Sequence, residues 1–236
     1  MLNKRGMLPI LGGDEMRGKT LTNWLCLSGI VSLVFYILHT VVGAMNYPGY
    51  DWRSQAVSDL TATNAPSFVV ANGLVSIHHL FACLSCVLVC IIIQGKGNKV
   101  LRVGIYLFAI MNWASAIGYT LFPLTDSGYA GTFQDVMHVY VVTAVVVVLS
   151  IVSIILIIIG GFKNHKKYQS LAIWATVTLV FMIIGPIGTS IVPMAYFGIA
   201  ERFSVYSVAV FNAILGLYGF VFIERIEKKF KYRKDA

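Results

Sequence analysis

Ten carboxylates and five histidines are spread through this 236-residue chain, and where they fall is the first clue to its chemistry. Asp51, Asp59, Asp126, Asp135 and Glu201 lie in or beside polar segments that interrupt long apolar runs, with His39 and His138 close by. Asp135 and His138 are one helical turn apart, which puts a carboxylate and an imidazole on one face. Asp126, Asp135, His138 and His79 are therefore candidate ligands for a divalent metal such as zinc, which would lower the pKa of a bound water and make a nucleophile at neutral pH. On this reading Asp59, Asp126, His138 and His79 carry catalysis, a metal-assisted hydrolysis or remodelling of lipid at the outer leaflet. No His-Glu-x-x-His or similar ligand run supports it.

Each of these residues also has a structural role open to it. Thr132-x-x-Asp135 fits a capping box that would only close a helix start. Asp51 and Asp59 suit turn hydrogen bonds or pairing with Arg53. His78 and His79, near the middle of an apolar run, suit hydrogen bonds between helices, and His165 sits in a basic link where it would be solvated. Cys83-x-x-Cys86 has metal-like spacing, but its Leu, Val and Ile neighbours favour small buried hydrophobes. Ser58-Asp59 lacks the glycines of a nucleophile elbow. His39 and His79 differ in depth by about 8 Å, which argues against a pair of haem ligands.

The elements that must hold these residues are membrane helices. The chain is 58% hydrophobic and only 12% charged, outside the range of soluble domains. Charge-free runs extend over Thr20–Tyr50, Leu60–Gly95, Val103–Thr125, Val136–Phe162, Tyr168–Ala200 and Phe203–Ile223, each meeting the roughly 20 residues that a crossing needs. An all-α, polytopic bundle of six transmembrane helices is expected, near 23–44, 69–93, 100–122, 135–160, 171–193 and 204–223. A flexible lead over 1–22 and a basic tail over 224–236 flank it. The first run is longer than the apolar stretch of a signal peptide and reads as a retained anchor.

Of the 18 basic residues, all but Arg53 and Arg202 fall at one end of the spans. Both termini are then expected in the cytoplasm of a plasma-membrane protein. The net charge of +8 is accounted for by those flanks, so nucleic acid is not an expected partner, and membrane lipid is. Asn64 or Ser67 is expected to cap the second helix, with Pro66 in its first turn. Asn72, Ser76 and His79 share a face expected to look inward. Gly185-Pro186-Ile187-Gly188-Thr189-Ser190 is expected to interrupt the fifth helix. The expected outward pocket takes in His39, Asp51, Arg53, Ser58, Asn72, Ser76, Tyr119, Glu201 and Arg202, under a lid formed by the segment Tyr47–Phe68.

That segment also carries a resemblance. Tyr47-Pro48-Gly49-Tyr50-Asp51, Ser58-Asp59-Leu60-Thr61-Ala62 and Ala65-Pro66, followed by Asn72, Phe122-Pro123, Asp126 and His138, resemble a bacterial and archaeal six-helix membrane family. It is catalogued as the domain of unknown function nine-nine-eight. Its members often have glutamate and glycine where this chain has Asp59 and Asn64. The Ser-Asp loop is also similar, over a short stretch, to the damage-regulated autophagy modulator and FGF-receptor-activating-protein superfamily, some of whose members are tied to lipid remodelling. The resemblance implies the six-helix architecture but no reaction. Besides the lipid hydrolase, the readings are a non-enzymatic scaffold, lipid-binding or immunity-type protein, and third a small transporter.

Overall fold

In a hydrocarbon medium a run of roughly 20 uncharged residues must pair every backbone N–H and C=O within itself, and it coils into a helix to do so. The computed structural model describes residues 19–164 and 168–222. Residues 1–18 of the expected lead, the basic tail and His165 lie outside the described residues, while Leu21 and Thr22, expected in the lead, stand in the first helix. Six helices are long and apolar enough to cross a membrane: α1 Leu21–Met45, α2 Phe68–Ile93, α3 Lys99–Leu121, α4 Phe133–Phe162, α5 Gln169–Ile191 and α6 Met194–Val221. Each packs on the next in sequence, and α6 returns to α1, which closes an up-and-down ring. The α1–α2, α3–α4 and α5–α6 connections share one end, called the loop end here. The short α2–α3 and α4–α5 links share the other, the turn end.

The turn-end half of the ring is solid. Val89, Ile93, Leu101, Ile105, Phe108, Ile157, Leu171, Phe211 and Leu215 are buried there in one contiguous cluster. Close backbone approach makes this possible: a Cβ on Gly160 of α4 would overlap the backbone of Leu101 on α3, so only glycine fits. Asn98 ties the same junction, since its Oδ1 caps Leu101 N at 2.8 Å while its Nδ2 donates to Gly160 O at 2.8 Å. The loop-end half is held apart instead, and the ring is hollow there.

Several expectations change at the helix ends. The helix six expected from 204 begins earlier, because Pro193 ends the α5–α6 turn and a regular helix runs from Phe197 to Leu217. Glu201 and Arg202 therefore belong to α6 rather than to a loop. Ser67 precedes α2 but makes no cap bond with its side chain; its hydroxyl donates to Leu60 O at 2.8 Å. Asn64 points away to Asp126, and Pro66 lies before the first turn. Asp135 does close a capping box with Thr132. Beyond it α4 passes through a π turn at Met137–Val142, where Thr143 N bonds to His138 O. The added residue sets the faces on either side of it out of phase.

Helix α5 runs unbroken through Pro186, contrary to the expected interruption. Proline brings no N–H, so the Met182 carbonyl one turn back loses its partner. Ser204 of α6 supplies one, its Oγ donating to Met182 O at 2.7 Å. Replacing Ser204 with Ala should cost about 1 kcal/mol in equilibrium unfolding in mixed micelles. In a Pro186→Ala background, where the helix supplies its own N–H, the same replacement should cost less than half as much.

Candidate functional site

The hollow half of the ring holds a cavity of about 240 Å³ to which all six helices contribute. Its wall is apolar over most of its area, with Val, Ile, Met and Ala interleaved with Tyr, His, Ser, Thr and Asn, and among the described residues it holds no Asp, Glu, Lys or Arg. Nearer the loop end it presents Tyr36 and His39 from α1, and His78 and His79 from α2. The Tyr36 ring lies 4.8 Å from that of His78, 5.8 Å from that of His39 and edge-on to Tyr206 at 5.3 Å. His39 Nδ1 is 3.1 Å from Ala71 O, and His78 Nδ1 is 3.0 Å from Ser32 O. A carbonyl only accepts, so in His39 Nδ1 carries the proton and the neutral ring keeps its Nε2 lone pair, whereas His78 Nδ1 also meets Ser32 Oγ at 2.9 Å, a hydroxyl that can donate or accept.

About two turns deeper lies a chain of amides and a thiol. Asn112 Nδ2 donates to Phe108 O at 2.9 Å and approaches Cys86 Sγ at 3.4 Å, and Cys86 Sγ donates to Asn212 Oδ1 at 2.9 Å. The chain ends on a donor: Asn212 is 1% exposed, and its Nδ2 has no hydrogen-bond partner among the described residues. Asn112 and Asn212 both line the cavity. On the side formed by α3 and α4, Tyr119 Oη donates to Thr143 Oγ1 at 3.1 Å, since that hydroxyl's own proton goes to His138 O at 2.9 Å.

The roof of the cavity is Val57 and Ser58 of the α1–α2 loop. That loop is pinned from below by α6. Arg202 Nη1 donates to Trp52 O at 2.7 Å, Gln55 O at 3.0 Å and Gly198 O at 2.7 Å, while Nη2 reaches Tyr50 Oη at 2.7 Å. Gly198 lets the loop sit this close, because a Cβ there would overlap Gln55 O. Glu201 Oε2 accepts from Val57 N at 2.8 Å. Tyr50 passes its own proton to Ala56 O at 2.7 Å, and burial pushes its phenol up to about 12.

Asp59 joins this loop to the α3–α4 loop. Its Oδ2 accepts from Ala56 N and its Oδ1 from Gly128 N, each at 3.0 Å. Burial raises the Asp59 carboxyl above its ordinary value, and the two amides only partly offset this. Ser127 Oγ to Asp59 O at 3.2 Å, Thr63 N to Leu124 O at 2.8 Å and Asn64 Nδ2 to Asp126 Oδ1 at 2.5 Å complete the seam. Asp51, by contrast, is an exposed turn residue held below its ordinary value by the Arg53 amide and guanidinium and by Ser54.

The residues assigned to catalysis from the sequence do not come together. Asp59 lies in the loop seam, Asp126 at its surface on Asn64, and only His79 lines the cavity. Asp135 accepts from Thr125 N at 2.8 Å and from Thr132 N at 3.1 Å, and His138 Nδ1 donates to Phe122 O at 2.7 Å. Among the described residues, no three His, Cys, Asp or Glu side chains are grouped to hold a metal ion. The zinc set Asp126, Asp135, His138 and His79 is thus corrected: three of its members are committed to loop and helix-start bonds. Of the expected pocket residues, His39, Ser58 and Tyr119 line the cavity, while Asp51, Arg53, Glu201 and Arg202 belong to the roof and its anchors. Asn72 and Ser76 are exposed instead, since Ser76 satisfies itself on Asn72 O one turn back at 2.7 Å. The four cysteines are free thiols, and Cys26, Cys83 and Cys86 are buried.

Sequence reasoning missed Tyr36, Tyr50 and Ser204 as functional positions and read Arg202 as a lining residue rather than the roof anchor. A signal existed for Arg202: one of only two basic residues at the loop end, it directly follows an acid. In comparisons with known proteins, a family model described as "Protein of unknown function (DUF998)" matches residues 30–218. No curated protein and no solved structure matches the chain.

Two measurements test the roof. Trypsin cleavage at Arg53 should be about ten-fold faster in Arg202→Ala than in the wild-type chain, because the loop then opens locally without its guanidinium. Because the Asp59 carboxyl sits above its ordinary 3.8 in the folded chain, its contribution to stability is fully present below that value and is lost as pH rises through the raised one. The melting temperature of the wild type relative to Asp59→Asn should therefore fall as pH rises across the acidic range.

Proposed function

Because the chain belongs to this family of membrane-spanning proteins, whose description leaves the activity open, we propose that it binds a membrane lipid inside the helix ring. The observation that carries this reading is the cavity wall, apolar over most of its area with a few fixed hydrogen-bonding groups, the pattern of small-molecule sites. Binding is favoured over hydrolysis. Asp59, Asp126, Asp135 and His138 are taken up by backbone and side-chain bonds elsewhere, which leaves the cavity with imidazoles but no carboxylate to work with them. The turn-end half is closed by the buried cluster around Phe108 and Leu215, which weighs against a through-going transport path.

Lys19, Lys96, Lys99, Arg102 and Lys163 gather at the turn end, against Arg53 and Arg202 at the loop end. This asymmetry supports a plasma-membrane orientation with both termini in the cytoplasm and the loops outside. Mass spectrometry of the full chain purified in mild detergent should find a bound lipid in near-stoichiometric amount. Ser115→Phe, which fills the cavity from α3, should lose that lipid while melting as a single folded species. A folded Ser115→Phe chain that keeps the same lipid would overturn the reading.

A further inference from the structure

We infer, resting on the lipid-binding reading, that the ligand is an uncharged lipid with a free hydroxyl, of the diacylglycerol kind, and that lipids with a phosphate in that position are rejected. The charge balance of the wall comes first. Among the described residues, no lysine or arginine lines the cavity. The Arg202 guanidinium, which anchors the roof, has both terminal nitrogens occupied by Trp52, Gln55 and Gly198 carbonyls and the Tyr50 hydroxyl. The Glu201 carboxyl above the cavity holds the amide of the roof residue Val57 and offers a phosphate no positive charge. A phosphate entering here would shed its water and find no cation, which is costly in a medium this apolar.

The hydrogen-bonding groups of the wall then select a hydroxyl. His39 gives its Nδ1 proton to Ala71 O. With no carboxylate in the wall to pair with an imidazolium, the His39 ring is neutral and keeps a lone pair on Nε2 that calls for a donor. Asn212 Nδ2 is a buried donor without a partner and calls for an acceptor. The His78 and Cys86 positions that mark these two levels on α2 are about 12 Å apart by helix rise. A hydroxyl at the upper level and an ester carbonyl lower down answer both. The cavity has room for roughly eight water-sized groups, enough for a glycerol head and its ester carbons, with the acyl tails leaving between helices.

The test is calorimetric titration of the full chain in nonionic micelles with three short-chain probes. These are dioctanoylglycerol, dioctanoyl phosphatidic acid, and dioctanoyl ethylene glycol, which lacks the hydroxyl. Dioctanoylglycerol should bind at least about ten-fold more tightly than either of the others. His39→Phe should abolish that preference over the ethylene glycol ester, and His39→Gln, which restores an acceptor, should recover it; His39→Leu serves as the second variant if His39→Phe does not fold. Equal or tighter binding of phosphatidic acid, or equal binding of the ethylene glycol ester, would overturn the inference and leave the lipid site standing. Binding of none of the three, with no lipid in the purified protein, would overturn the lipid site itself.

Discussion

In a bilayer no water is at hand, so every polar group must find its partner within the protein. This chain meets that demand with one recurring device: a side chain on one helix bonds to a backbone carbonyl on another. Asn23 Nδ2 reaches Gly219 O on α6, Asn98 Nδ2 reaches Gly160 O on α4, His39 reaches Ala71 O on α2, and Ser204 reaches Met182 O on α5. These bonds join helices that adjoin around the ring, so satisfying polar groups and fixing neighbours are one event. Lipid-facing surface adds little preference for one neighbour over another, because tails are as apolar as the side chains they would replace.

The same device divides the molecule. At the turn end, small residues let backbones touch, and apolar side chains fill what remains. At the loop end, His39, His78, Tyr119 and Thr143 use one polar atom to hold their own position and leave the rest of the side chain facing the hollow. The loops above carry most of the loop-end charge, yet it is spent on holding the roof. Arg202 alone gathers three loop-side groups and one carbonyl of its own helix. The acids that draw attention in the sequence hold the frame, and neutral residues, the expected His39, His79 and Tyr119 among them, line the space.

The architecture was legible because it follows from charge-free runs of helix length, a property that each residue carries independently of its neighbours in space. The capping role of Asp135 was legible for a similar reason, its partner Thr132 being three residues away. What could not be read were the contacts between distant segments. That Asp59 would meet Gly128 rather than His138, or that Ser204 would repair the gap at Pro186, depends on which helix faces which. The inward expectation for Asn72 and Ser76 failed on a local point instead, since a serine on a helix can be satisfied by its own previous turn. Asn112 and Asn212 stand out as amides in apolar runs, but only the fold puts them on opposite sides of one thiol.

The Pro186 site has a consequence for how the bundle assembles. Helix α5 is synthesised before α6, and until α6 arrives its Met182 carbonyl faces hydrocarbon with no donor. The proline thus makes α5 an incomplete unit that rewards the correct next helix, in the correct register, with a bond that lipid has no means to offer. Since α6 also closes the ring against α1, recognition of this one carbonyl orders the final step: the ring shuts when Ser204 comes to rest beside Gly185 and Met182. A residue that looks like a flaw in a membrane helix acts here as an address for its neighbour.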